Sequence, residues 1–306
     1  MRSVITGATG YLGRHLANFL DGLGHEVVVI VRDLNVAPRP VSFNPSIEIE
    51  SLSDCTDIGT IIREVAPDSV YHLAAATGDA SSELGTPIWP GHDMICANTK
   101  MAVQAAAGVA ATKGAVLICA ASWWEWDENG VLNPNNFYAA TKSAGRFLAE
   151  KLSRMMPFTM ISIVMHDIYG ANDWRPKLFN QLIRLSESDG PLKLTPGHQQ
   201  MNLIHVDDAC RALVAAYDSV KNISSAEGPL LYAARTDDLM SLRDIVSSIE
   251  HVRGTSLPVD WGAKDYRVDT VMRPNVPVGN LSNWLPIHQF EKWLAGEIER
   301  QRNGET

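Results

Sequence analysis

Tyr138 and Lys142 stand four residues apart in Tyr138-Ala139-Ala140-Thr141-Lys142, within a segment that reads as helix from Tyr138 to Met155. That spacing puts a phenol and an ammonium on one helix face. A free tyrosine has a pKa of about 10, and a neighbouring cation favours the phenolate. The pair therefore predicts a lowered Tyr138 pKa and a general acid or base that works on a carbonyl or an alcohol. Such pairs are common on helices, where a half-buried tyrosine beside a solvated lysine is the ordinary case. Ala120-Ala121-Ser122 closes an apolar strand, and the carboxyl ends of strands are where open α/β sheets place ligands. A hydroxyl there reaches the carbonyl oxygen that Tyr138 would protonate; the other use of such a serine is as a turn former or helix cap.

These residues need a scaffold, and the start of the chain supplies its first unit. Val4-Ile5-Thr6-Gly7-Ala8-Thr9-Gly10-Tyr11-Leu12-Gly13 runs from an apolar strand into glycines spaced three apart, followed by apolar residues at helical spacing through Leu20. Glycines allow positive φ and close approach of a ligand. The helix end that follows offers free N–H groups to a phosphate, by the mechanics of a dinucleotide-binding turn. Glu26–Val31 reads as a buried strand, Ile47–Glu50 as a short one, Asp57–Val65 as a helix and Ser69–Ala76 as a strand with its exit. Asp93–Ala111 reads as one long alanine-rich helix, Ala115–Ala120 and Pro157–Met165 as strands. Strands alternating with helices at this spacing argue for a parallel, doubly wound sheet.

Past Gly170 prolines and tryptophans recur and the helices shorten. Asn202–Val206 and Leu230–Ala234 read as strands, and 207–220, 242–251 and 287–300 as helices. The chain divides into a first domain, 1–166 plus about 203–235, and a smaller mixed α/β substrate domain, 167–202 and 236–306. The formal net charge of -9 disfavours nucleic acid or an anionic membrane as partner. Cys55, Cys96, Cys119 and Cys210 show no zinc or C-x-x-C spacing and read as free thiols in a reducing compartment, with the protein cytoplasmic. His205, Asp207 and Asp208 sit before a helix, where capping and packing explain them; no metal is assigned. Trp123, Trp124 and Trp126 follow Ser122, and indoles either stack on sugar faces or fill space.

Taken together, Thr6 to Gly13, His72-Leu73-Ala74-Ala75, Ser122, Tyr138 with Lys142, Ile168-Tyr169-Gly170 and Ile204 to Asp208 resemble the extended branch of the short-chain dehydrogenase/reductase superfamily. The pattern is most similar to nucleotide-sugar C-4 ketoreductases of the abequose-synthase type. The resemblance implies a Rossmann-type domain that binds NAD(P) and a carboxyl-terminal domain that binds a nucleotide-sugar. Ser122, Tyr138 and Lys142 would be catalytic, with Lys142 also on the nicotinamide ribose. Gly7, Thr9, Gly10, Tyr11, Leu12 and Leu52 would line the cofactor, as would Leu73, Ala74, Ala75 and Asn98. Thr77, Trp123, Trp124, Asp167 and Arg273 would face substrate. A homodimer through helices 93–111 and 138–155 is also implied, and the small-residue faces of those helices suit it. At the end of the second strand Val31 replaces the usual acidic ribose ligand and Arg32 follows, which favours NADP(H) over NAD(H), with Asp33 as a competing neighbour.

The chain departs from the family pattern in several places. Ser51-Leu52-Ser53-Asp54 has a serine where an Asp near the adenine is frequent, Val164 stands where an Arg is common, Asp167 where Asn is frequent, and Met201 where an arginine for the diphosphate is expected. The leading expectation is NADPH-dependent reduction of the 4-keto group of a nucleotide-activated 6-deoxyhexose. The alternatives are a redox-neutral epimerase or dehydratase with bound NAD, a reductase of a small ketone or aldehyde, and a non-catalytic NADP-sensing regulator. Dehydration would want an acid directly after Ser122, where Trp123 and Trp124 stand and Glu125 comes one residue late.

Overall fold

The computed structural model describes residues 1–32, 43–52, 57–77, 90–185, 190–220 and 230–303. Asp33, Ser53 and Cys55, and residues 78–89, lie outside them. The first half alternates β1 (Arg2–Thr6), α1 (Tyr11–Gly22), β2 (Glu26–Val31), β3 (Glu48–Ser51), α2 (Ile58–Val65) and β4 (Ser69–His72). Then come α3 (Pro90–Met94), a π-helical segment (Ile95–Lys100), α4 (Met101–Ala110), β5 (Val116–Ser122), α5 (Phe137–Met155) and β6 (Thr159–Met165). After these follow β7 (Asp167–Tyr169), α6 (Leu178–Arg184), β8 (Leu192–Leu194), β9 (Gln200–Met201), β10 (Leu203–His205), α7 (Val206–Val220) and β11 (Leu230–Ala234). The chain closes with β12 (Met240–Ser241), α8 (Leu242–Arg253), β13 (Val259–Trp261) and α9 (Phe290–Arg302).

Seven strands form one parallel sheet in the order β11-β6-β5-β4-β1-β2-β3. The expected doubly wound parallel architecture is thus present. Val27 to Val31 are buried on both faces of β2, as a central parallel strand requires. Helices α1 and α7 cover one face of the sheet; α2, α4 and α5 cover the other. A separate core joins Leu182, Leu203, Leu242, Ile245 and Leu294 around Tyr169. Local chemistry sets the helix starts. Asp57 accepts the Thr60 N–H at 2.9 Å, Asn136 accepts the Ala139 N–H at 2.8 Å, and Ser241 and Asp244 cap α8 reciprocally.

Two helices differ from the sequence reading. The expected continuous helix over 93–111 is interrupted by the π-helical segment, which an alanine-rich periodicity does not announce. Its small residues are spent within the chain. A Cβ on Gly108 would sit 2.8 Å from the Gly59 Cα, and one on Gly145 would overlap the Asn98 carbonyl oxygen. The last helix begins at Phe290 rather than 287, because the Ile287 and His288 N–H groups donate to Asp208 Oδ2 at 3.1 and 2.9 Å instead of entering a helix. Asp208 itself is fully buried and also accepts from Arg211 at 2.8 Å.

Candidate active site

In a parallel sheet every strand ends on the same edge, and pairing fixes which residues meet there. Thr6 pairs with His72, His72 with Cys119, and Ser122 with Met165. Arg32, Leu73 to Ala75, Ser122 to Trp124 and Asp167 therefore follow strands that emerge on one side of the molecule. The strand order reverses beside β1, and the crevice outside such a reversal is where open α/β sheets hold ligands.

The β1–α1 loop occupies that crevice. Gly7 has φ of +76°, and a Cβ on it would lie 2.5 Å from the Ala74 nitrogen. Gly13 lets α1 come down onto the loop, since a Cβ there would overlap the Gly7 carbonyl oxygen. Gly10 differs: its Cβ would meet only the Gly7 carbonyl oxygen, at 3.1 Å. It is the N-cap of α1, carries no capping side chain, and no acidic residue occupies the first turn. Among the described residues no side chain caps this helix end, so the loop has the room and the donors to hold a pyrophosphate. Arg14 steadies it by donating to the Thr9 carbonyl at 2.9 Å. Leu12 is partly buried in the core beneath α1. The Tyr11 side chain points away, donating to the Ala171 carbonyl at 3.0 Å beneath the Arg175 guanidinium; burial raises its pKa. Tyr11 thus offers a ligand only its backbone. Arg32 is exposed after β2, and the Leu52 N–H pairs with the Val31 carbonyl at 2.8 Å.

Asn98 lies in the π-helical segment, where the widened turn carries it into the core. Its carboxamide is fully committed. Oδ1 accepts the Ala76 N–H at 2.8 Å, and Nδ2 donates to the Ala76 carbonyl at 3.0 Å and to Thr141 Oγ1 at 2.9 Å. Asn98 therefore braces the 74–76 exit of β4 against α5. Such π-turns are frequent at functional sites. The neighbouring Thr77 is exposed.

The structure brings Ser122, Tyr138 and Lys142 to this edge. Ser122 ends β5 and caps the short 3₁₀ turn Trp123–Glu125, its Oγ accepting the Trp124 N–H at 3.3 Å. Lys142 Nζ donates to the Ala120 carbonyl at 2.6 Å, which fixes α5 to the end of β5. The environment corrects one expectation. Tyr138 is not acidified: burial, then the Glu125 charge, pushes its pKa up to about 12, and Lys142 is not among the groups acting on it. Burial lowers the Lys142 pKa while Glu125 pulls it back up. His72, hydrogen-bonded to Thr6 Oγ1 at 2.8 Å, is held neutral by burial and by Lys142, its pKa pushed down to about 3.

Sequence reasoning missed the group that ties these residues together. Glu125 is fully buried. Its Oε1 accepts the Ser122 N–H at 2.9 Å; its Oε2 accepts Ser143 Oγ at 2.9 Å and Arg146 Nε and Nη2 at 3.0 and 2.8 Å. The only sequence signal was an acid just after the strand and a basic residue one turn beyond Lys142. The tryptophans also divide. Trp123 is buried against His166 and Val276, whereas Trp124 is partly exposed, its ring centre 6.2 Å from that of Tyr138. Asp167 lies under Trp123, and burial raises its pKa. Arg273 is exposed on a strap that Asn275 pins to the Glu128 carbonyl at 3.0 Å.

His205, Asp207 and His288 bring ligand-type atoms within 4.8 Å of one another. The two imidazoles stack face to face, 4.1 Å apart at 20°, so their in-plane lone pairs run side by side instead of converging. His205 Nδ1 already accepts the Asp207 N–H at 3.2 Å. This is packing at the start of α7.

A parallel sheet whose first crossover leaves a bare helix end at the reversal of strand order is the architecture of nucleotide-binding α/β oxidoreductases. The sequence profile of the NAD dependent epimerase/dehydratase family matches residues 3–228, and the chain belongs to that family, the extended short-chain dehydrogenases/reductases. It is an NAD(P)-dependent enzyme. It is 28% identical over 308 residues to a CDP-abequose synthase of Yersinia pseudotuberculosis, covering 98% of this chain and 100% of the relative. A CDP-abequose synthase of Salmonella typhimurium is 22% identical, with 97% of each chain covered. Among solved structures, a UDP-glucuronic acid 4-epimerase from Bacillus cereus with UDP-glucuronic acid and NAD superimposes with a TM-score of 0.81 at 21% identity, covering 99% of each chain. MoeE5 with UDP-glucuronic acid and NAD gives 0.80 at 19% identity, over 99% of this chain and 100% of that one. At those identities the likeness concerns the fold. No described helix is long and apolar enough to cross a membrane.

Proposed function

We propose that this enzyme reduces the 4-keto group of a nucleotide-activated 6-deoxyhexose with NADPH. Residues 1–166 with about 203–235 hold the cofactor, and 167–202 with 236–306 hold the sugar nucleotide. The observation that carries the reading is the placement of Tyr138 on the same sheet edge as Ser122 and Lys142, beside a helix end with no capping side chain among the described residues. Reduction needs a proton donor, and the Tyr138 phenol carries its proton at neutral pH. The nicotinamide supplies the hydride when bound. Ser122 Oγ and Tyr138 Oη hold the carbonyl oxygen, Tyr138 gives it a proton, and Lys142 positions the cofactor ribose. Trp124 offers a partly exposed indole face to the sugar, and Thr77, Asp167 and Arg273 face the same substrate. The name shared by the curated relatives supports a ketoreductase. Both carboxylate oxygens of Glu125 are engaged by Ser122, Ser143 and Arg146 and turned away from a substrate, which speaks against dehydration. We further propose a cytoplasmic homodimer through helices 93–111 and 138–155, supported by the exposed Phe147 and Leu148 on α5.

Redox-neutral epimerisation with bound NAD is the second reading, favoured by the 4-epimerase among the structural relatives. Stoichiometry separates the two. The proposal expects one NADPH oxidised per product formed; conversion with no change at the nicotinamide absorbance band refutes it.

The cofactor assignments carry two expectations. Arg32 is exposed at the edge, where a guanidinium would meet a 2′-phosphate, so Arg32→Ala should lose the preference for NADPH over NADH in kcat/KM. An unchanged ratio would return Arg32 to the solvated surface. Gly10→Val should weaken NADPH binding at least tenfold, on the order of 1.4 kcal/mol or more, while melting only slightly below wild type. Gly13→Ala, which drives a methyl into the Gly7 carbonyl, should melt markedly lower. A folded Gly10→Val protein with the wild-type NADPH dissociation constant would show that the loop is a structural turn only.

A further inference from the structure

We propose that Glu125 is a positioning residue for the Ser122–Tyr138–Lys142 site, locking the Ser122 turn to the face of α5 that carries the tyrosine and the lysine. The assignment rests on the catalytic reading above, and its grounds are geometric. Tyr138, Lys142, Arg146 and Glu150 follow one another at four-residue intervals along α5, so they share a face. Arg146 sits between two carboxylates, Glu150 at 2.7 Å and Glu125 at 2.8 Å. Glu125 reaches in from the turn after β5 and spans the gap: one carboxylate oxygen holds the Ser122 N–H, the other holds Ser143 and Arg146. The backbone closes the frame on the far side. The Glu125 carbonyl accepts the Asn133 N–H at 3.0 Å and the Trp124 carbonyl accepts the Asn135 N–H at 3.1 Å, one residue before the Asn136 cap of α5. The serine and the tyrosine come from elements that are separate in sequence, and their separation is set by this buried carboxylate.

The same charge acts on the site through space. Tyr138 faces Glu125 from the turn and Arg175 from the loop after β7; Lys142 faces Glu125, Cys119 of β5, Arg146 of its own helix and His72 of β4. After burial, Glu125 is the largest influence on both, and it keeps the proton on each. Removing the charge lowers both pKa values, so a donor that must be protonated is lost at lower pH. Both shifts act in one direction.

Glu125→Gln keeps the shape and an acceptor while removing the charge. Its pH–rate profile for reduction should show the basic limb moved to lower pH, with the melting midpoint followed in the same samples. An unmoved basic limb overturns the proposal even if turnover falls, because loosened packing lowers kcat without displacing a titration. Arg146→Lys should restore the wild-type profile more nearly than Arg146→Met. If the wild-type chain oxidises no NADPH with any nucleotide-linked 4-keto sugar, the catalytic reading fails on that result alone. Amide exchange at Ser122 then decides the Glu125 assignment without substrate. Protection in wild type that is lost in Glu125→Leu, with β1 exchange unchanged, supports the lock. Equal protection in both proteins overturns it.

Discussion

Tyr138→Phe is expected to lower turnover by a factor on the order of 10²–10⁴. NADPH binding should stay within a few-fold of wild type. The substitution removes one oxygen and keeps the ring that packs edge-on against Trp124, so the pocket wall survives while the proton donor does not. Burial and Glu125 push the phenol pKa up to about 12, so in the proposed reduction Tyr138 would enter the reaction carrying its proton. Lys142, with its Nζ on the Ala120 carbonyl, anchors α5 to the end of β5. Single-turnover absorbance kinetics with a 4-keto sugar nucleotide, beside a fluorescence titration with NADPH, measures both quantities. Turnover within a few-fold of wild type would remove Tyr138 from the donor role.

The second large effect concerns stability. Arg146→Ala leaves the Glu125 carboxylate buried without its cation, and breaking one partner of a buried pair costs about 3–5 kcal/mol. The guanidinium also lies 4.6 Å from the Phe147 ring centre and 5.5 Å from that of Trp126, contacts that vanish with it. Urea unfolding of the two proteins gives the difference directly, and a loss below about 1 kcal/mol would be the behaviour of a surface pair. The double variant Glu125→Leu with Arg146→Met replaces both charges by apolar groups of similar reach. It should recover most of the lost stability, because the desolvation cost of both ions disappears. It should remain slow in turnover, since the Ser122 turn has lost its tie to α5. That pairing of regained stability with unrecovered rate separates what the ion pair does for folding from what it does for the site.

The sequence by itself determined the scaffold. Apolar runs with β-branched residues and glycine turns at βαβ spacing leave little choice but a parallel sheet, because each strand must be buried on both faces and each return must cross by a helix. It also placed Ser122 at a strand end and Tyr138 with Lys142 on one helix face, since strand ends and helix spacing are local properties; that the three share a site came only from the family resemblance. Tertiary structure alone decided the rest. The π-helical turn exists because Asn98 finds Ala76 and Thr141 across the fold, partners that helical periodicity does not encode. Trp123 is buried and Trp124 partly exposed, although neighbours in sequence look alike. The tyrosine pKa rises because burial and the Glu125 charge act on it, while the lysine that spacing revealed does not. Periodicity reports which side of a helix or strand a residue occupies; hydrogen-bond partners and desolvation depend on chain segments far away in sequence, and only the folded arrangement brings them together.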